Sequence, residues 1–404
     1  MTVSDRAGPR ALVLSERAAE SQKFHAFQFE YEDVIAQVDD VALLAPPAAP
    51  YGTLQRVANR VARTAGRPLP VTYPALKPVR IVNDYDVFFA TFAFASDIPH
   101  LVRLRDLRER CGTAVAFIVE LFCEQVGRVR PQLELLRRFQ FDRVFLFNPA
   151  PKDAVAEIVG CPVEFMPLGV DALRFSPYPN PPERVIDLYQ FGRRSPVTHE
   201  AALEMACGDG DFYLYDTIFN VPVPDFRAHR SVIAETMKRS RYFFAYRAAI
   251  DLGRGSGDDA LSSRYFEATA GGAVLLGSAP QTAEWDACFG WPDAVIDIPY
   301  EAHDLREIID DLDAQPERLA RARTNNIVAA LRRHDWVYRW AQVLDAVGLP
   351  HSAGMAQRME LLDDLAAMAE EDCEAHAEAP PRKRPRRRSA ARARADANPH
   401  AEAA

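Results

Sequence analysis

Short apolar runs alternate with helix-length amphipathic stretches along most of the chain, and this alternation limits the fold more than any other feature. Ala11–Leu14 (ALVL), Val41–Ala45 (VALLA), Tyr85–Phe92 (YDVFFATF), Ala114–Val119 (AVAFIV), Arg143–Phe147 (RVFLF) and Val163–Met166 read as strands buried on both faces. Between them Gln22–Val38, Leu54–Thr64, Leu101–Arg110, Arg130–Phe139 and Asp153–Val159 read as helices. In the second of these, Leu54, Val57, Ala58 and Val61 fall on one face. Strands separated by helices predict a parallel sheet covered on both sides. The alternation then restarts. Strands Val185–Phe191, Phe212–Tyr215, Tyr242–Tyr246, Ala273–Gly277 and Ala294–Ile298 are interleaved with helices Pro196–Cys207, Ala228–Lys238, Ala260–Ala270 and Ala283–Phe289. Helices Asp304–Leu312, Glu317–Leu331 and His334–Val347 follow.

The break between the two series is the stretch Pro167–Pro182, with four prolines from Pro177 to Pro182. Proline fixes φ and lacks an N–H, so this stretch is expected to exclude both helix and central strand. The expected organisation is an α/β protein of two tandem Rossmann-like, doubly wound domains: residues 1–170, a proline-rich hinge at 171–184, and residues 185–350. A chain of 404 residues has room for both and for a tail at 351–404. The tail opens with an acidic, alanine-rich stretch, Met355–Ala377, expected to be helical. It continues into a segment too poor in apolar residues to build a core, expected to be disordered. Its basic cluster Arg382–Arg388 fits a nucleic-acid contact, a nuclear address or an anionic membrane surface. It equally fits a solvated tail offsetting the acidic stretch.

A net charge of −9 gives no global reason to expect nucleic acid as a partner. No apolar run reaches the length of a membrane span, and the first apolar run is too short for a signal-peptide core. The six cysteines carry no C-x-x-C pair and no metal-ligand spacing, so they read as small core residues in a reducing compartment. The expectation is a cytoplasmic protein with no cofactor and no metal. Hydrolase triads, zinc-protease and Walker motifs are missing from the sequence.

The stretch Gly253–Ser278 (GRGSGDDALSSRYFEATAGGAVLLGS) reads as a glycine loop, a helix capped by Asp258 or Asp259, a Gly271–Gly272 stop and a buried strand. A helix start behind a flexible loop collects backbone N–H groups that suit a phosphate, with Gly255 and Gly257 in the loop. Glu267 could accept hydrogen bonds from ribose hydroxyls, and Arg264 lies on the same helix face. An ordinary Arg264–Glu267 surface pair is the alternative. The turn Gly192–Arg193–Arg194 closes the first strand of the second series, where a guanidinium can fork onto diphosphate oxygens. Arg247 and Arg254 flank the glycine loop, and Asp259 could contact a transferred sugar or serve as a cap. In the first series Glu120 ends a strand at the ligand edge and is a candidate base on the acceptor side. His25 and His100 are further candidates there.

These residues resemble a family. SSRYFEATAGGAVLLGS at Ser262–Ser278, RRHDWVYRWAQVL at Arg332–Leu344 and CPVEFMPLGVDALRFSP at Cys161–Pro177 are similar to the bacterial group-1 glycosyltransferases of the GT-B fold. The likeness is to the branch related to spore-maturation glycosyltransferases. The resemblance covers most of residues 140–348 and implies nucleoside-diphosphate-sugar binding by the second domain and acceptor binding by the first. It also implies sugar transfer, with retention and without an obligatory metal. It puts Glu267 on the ribose, Arg193 or Arg194 on the diphosphate, and Asp259 where retaining members carry a glutamate. The usual lysine partner of that arginine is not evident. His334, Trp336 and Arg339 match the terminal helix, in a structural role. The competing expectations are a non-catalytic binding or scaffolding protein of the same shape, and a relative that epimerises or phosphorolyses sugars.

Overall fold

The structure is a computed structural model that describes residues 8–18, 25–46, 78–192, 194–208, 210–217, 223–247, 250 and 261–378. The expected helix at 54–64, the loop residues Arg254, Gly255, Gly257, Asp258 and Asp259, Arg193 and the basic cluster 382–388 lie outside the described residues. The chain divides into two compact units.

The first unit comprises residues 1–168, 220–227 and 336–358. Its strands are β1 (Ala11–Leu14), β2 (Val41–Leu44), β3 (Val79–Arg80), β4 (Tyr85–Phe94), β5 (Leu104–Arg105), β6 (Cys111–Glu120), β7 (Arg143–Leu146) and β8 (Val163–Phe165). Six of them form an all-parallel sheet in the order β2-β1-β4-β6-β7-β8, and β3 pairs with β5 alone. The apolar runs of β4 and β6 are buried almost throughout, as strands covered on both faces require. Helices Ala26–Val38, Arg130–Arg138 and Lys152–Val159 follow the expected alternation. The expected helix at 101–110 does not form. A 3-10 segment, Ala95–Arg103, holds Pro99, and the chain then enters β5 before a single turn at Leu107–Arg110. Asp106 at φ 65° closes off a continuous helix.

The second unit comprises residues 169–219, 228–335 and 359–404. Its strands are β9 (Ile186–Gln190), β10 (Tyr213–Tyr215), β11 (Ser240–Ala245), β12 (Val274–Gly277) and β13 (Ile296–Asp297). They form a second parallel sheet in the order β10-β9-β11-β12-β13. Helices Pro196–Gly208, Ser263–Gly271, Ala283–Phe289, Leu305–Asp313 and Pro316–Ala329 belong to this unit, as does most of Phe226–Lys238.

One difference from the sequence reading has a local cause. The proline-rich stretch does contain a helix, Ala172–Phe175, because Asp171 caps it by accepting the Arg174 N–H, and the proline cluster from Pro177 begins only after it ends. As expected, the stretch after residue 350 opens with a helix, Ala353–Glu378, in which Met355, Leu362, Leu365, Ala366 and Ala369 are buried. These recur at helical spacing, so this part of the tail has an apolar face to bury. Residues 336–358 group with the first unit rather than ending the second. Among the described residues no helix is long and apolar enough to cross a membrane.

Candidate functional site

In the second sheet β9 lies between β10 and β11, so the chain order reverses between β9 and β11. The carboxyl ends of these strands therefore border the crevice in which a doubly wound sheet holds its ligand. The turn after β9 is held from two sides. Gly192 adopts φ 78°, a left-handed conformation that suits a residue without a Cβ. Its N–H points at both carboxylate oxygens of Asp216, at 3.1 and 3.2 Å, and Asp216 directly follows β10. Arg194 Nη2 donates to Asp216 Oδ1 at 2.5 Å and to the Asp216 carbonyl, and its guanidinium lies 5.2 Å from the centre of the Tyr215 ring. Beyond it, the Tyr213 hydroxyl donates to Gln190 Oε1 at 3.0 Å and lies 2.8 Å from His199 Nδ1. Burial, then the nearby Arg194 charge, lowers the His199 pKa below the usual imidazole value.

The helix Ser263–Gly271 brings the second arginine. Its cap is Ser262, whose hydroxyl accepts the Arg264 N–H. Capping by Asp258 or Asp259 is thereby corrected: the described helix begins after both, at the first residue that offers a capping hydroxyl in extended backbone. The end of the helix matches expectation, with Gly272 at φ 67° as the left-handed cap. Arg264 turns back from the first helical turn. Its Nε meets the Ser262 hydroxyl at 3.2 Å, and its Nη1 reaches the Phe191 carbonyl at 3.4 Å. A Cβ on Gly192 would stand 3.4 Å from that same Nη1, so the glycine also makes room for the arginine.

Glu267 follows Arg264 by three positions but faces a different environment. It is 4% exposed and ion-paired through Oε1 to Arg230 Nη1, and Arg230 is itself buried. The Arg230 guanidinium also lies 4.8 Å from the centre of the Phe175 ring. An exposed Arg264–Glu267 surface pair is excluded by this burial. The Tyr189 hydroxyl is pushed to a higher pKa by burial first, then by the Glu267 and Asp216 carboxylates.

Of the sequence candidates, Gly192, Arg194 and Arg264 are thus gathered at one sheet edge, and Arg247 follows β11 at the same edge, half-buried. Glu267 is one helical turn deeper. Glu120 ends β6 in the first unit and is exposed. His25 stands buried at the start of Ala26–Val38, and His100 lies on the 3-10 segment after β4. His334 is buried with Nε2 3.0 Å from the Cys288 carbonyl, and Arg339 Nε donates to the Leu168 carbonyl. Two residues escaped the sequence reading. Asp216 carried a usable signal, since an acid directly after a strand stands at the ligand edge. Arg230 carried none, because it sits in mid-helix among other charged residues.

Residues 219–345 match a family described as glycosyl transferase-like. The fold is similar to that of an alpha-glucosyltransferase solved with UDP and a 13-mer DNA. The identity is 11% and the TM-score 0.50, over 85% of this chain and 100% of that one. Anabaena Alr3699/HepE, solved with UDP and glucose, matches at 12% identity and a TM-score of 0.48, over 84% of this chain and 99% of that one. No curated protein matches the chain. The two parallel-sheet α/β units are those of GT-B glycosyltransferase structures.

Proposed function

We propose that the chain is a glycosyltransferase that moves a sugar from a nucleoside-diphosphate sugar to an acceptor. The second unit binds the donor and the first unit the acceptor. The observation that carries this reading is the position of Arg264. It projects from the first turn of a capped helix against the Gly192 turn, at the point where the second sheet reverses its strand order. The helix lies inside the stretch that matches the glycosyl transferase-like family. A helix N-terminus and a guanidinium together stabilise a departing diphosphate as its charge grows, an electrostatic contribution that often dominates such reactions. Arg264 and Arg247 take that role, together with Arg193 and Arg254. Glu267 binds the ribose, and Arg230 holds its carboxylate in place. Asp259 contacts the transferred sugar, and Glu120 serves the acceptor. Retention, transfer that needs no metal, a cytoplasmic location and kinship with the spore-maturation branch complete the proposal.

The test is a thermal-shift screen of the full chain against UDP, GDP, dTDP, ADP and their sugars. UDP comes first, because the alpha-glucosyltransferase of similar fold was solved with it. A ligand at a hundred times its dissociation constant adds about 2.7 kcal/mol of stability, a visible rise in melting temperature. The rise is expected with one nucleotide and lost in Arg264→Ala, each read against the same protein's own ligand-free melting. No response to any of them refutes the reading.

One observation favours a second reading, a non-catalytic binding protein of the same fold. Asp216 already receives both Arg194 and the Gly192 N–H, which puts a carboxylate where a phosphate would be sought. Nucleotide binding without consumption of any donor sugar would select it.

A further inference from the structure

The carboxyl edge of the first sheet carries a second group of side chains, which donor binding leaves without a role. In that sheet β1 lies between β2 and β4, so the strand order reverses between β1 and β4. The crevice beyond their carboxyl ends is the ligand position of a doubly wound sheet. Glu16 follows β1 after one intervening residue, His25 stands at the start of Ala26–Val38, and Asp97 lies on the 3-10 segment after β4. One carboxylate oxygen from each acid and one ring nitrogen of His25 all lie within 4.8 Å of one another. Glu16 is 1% exposed and His25 2%, with Asp97 half-buried.

Two carboxylates this close, one of them buried, repel each other more strongly than in water. A divalent cation between them relieves that repulsion and takes the imidazole as a third donor. Ligand atoms about 2.1 Å from a shared metal stand roughly 3–4 Å apart, so small side-chain rotations close the set. Both carboxylates also have neighbours outside the ligand set. Asp97 Oδ2 accepts the Phe94 N–H at 2.9 Å and Oδ1 accepts the Ser96 hydroxyl at 3.2 Å. His100 Nδ1 lies 3.3 Å from Glu16 Oε1. Imidazole and carboxylate donors without a thiolate suit Mn²⁺, Fe²⁺ or Zn²⁺.

We propose that Glu16, His25 and Asp97 bind a divalent first-row transition-metal ion in the first unit, with His100 holding Glu16 in place from outside the ligand set. The site is separate from the donor-binding reading, and its test reads metal rather than turnover. The full chain, stripped with a chelator, is titrated with Mn²⁺ while the free-ion electron paramagnetic resonance signal is followed. Mn²⁺ is chosen because it avoids the six cysteines, which favour softer ions. One Mn²⁺ per chain is expected. His25→Gln and Asp97→Asn should each weaken binding by at least about tenfold, and Glu134→Gln, on an exposed surface pair with Arg130, should leave it unchanged. Spin-echo modulation from an imidazole nitrogen should appear on the bound ion in the parent protein, a readout that needs no variant to fold. No stoichiometric uptake, bound Mn²⁺ without nitrogen coupling, or binding untouched in both well-folded variants overturns the site.

Discussion

The buried pair of Arg230 and Glu267 is the residue-scale feature on which the proposed donor site leans hardest. Both side chains are nearly excluded from water, so removing one partner strands the other's charge. Arg230→Ala should therefore destabilise the second unit by about 3–5 kcal/mol, read from the urea midpoint of unfolding. A loss typical of a surface site would mean that the pair is not buried in solution. A second buried carboxylate, Glu32 in the first unit, sets a pH dependence. Burial raises its pKa from 4.5 to about 7, against the pull of Arg17 and the Ser15 hydroxyl. The fold thus favours the protonated form. This group's contribution is complete below 4.5 and is lost as pH rises through about 7. The loss across that interval should be on the order of 3 kcal/mol, and Glu32→Gln should flatten it in denaturation curves taken at both ends. An unchanged slope in Glu32→Gln assigns the dependence to another group.

At the scale of elements, the helix Ser263–Gly271 illustrates how local chemistry sets a boundary. A serine in extended backbone begins it and a glycine in left-handed backbone ends it. Because the Ser262 hydroxyl accepts from both the backbone and the Nε of Arg264, the cap also aims the arginine. Ser262→Ala should cost roughly 0.5–2 kcal/mol of stability. It should weaken nucleotide binding beyond that stability loss, which calorimetry on the folded variant would separate. Equal affinity in the variant would show that Arg264 is positioned without the Ser262 hydroxyl. The region around Ala95–Arg103 teaches the opposite lesson. Leu101, Leu104 and Leu107 are all buried and fall at three-residue spacing that suggests a helix, yet the chain leaves helical backbone to pair β5 with β3.

For the molecule as a whole, the informative segment is Trp336–Ala346, a helix late in the chain that groups with the first unit. Trp336 stacks on Tyr31 with ring centres 4.6 Å apart and donates to Glu30 Oε1. Trp340 meets Phe89 edge-on and donates to Asp39 Oδ2 at 2.7 Å. The core of the first unit is thus completed by residues from late in the chain. Trp340→Ala should destabilise that unit by about 3–5 kcal/mol through the cavity it leaves, measured by chemical denaturation. A negligible change would remove this helix from the unit's core.

Alternating apolar runs and amphipathic stretches were enough to determine the class of fold, both parallel sheets and most of their strands, because burial on two faces and helical periodicity are local demands on composition. Glycine and serine positions told where the helix Ser263–Gly271 stops and, read correctly, where it starts. The identity of partners was decided only in three dimensions. Arg230 meets Glu267, Gly192 meets Asp216, and Glu16 comes within reach of His25 and Asp97 because strand order and crossovers carry distant strand ends to one edge. Periodicity says which face of an element is buried; it carries no information about which side chain waits on the other side.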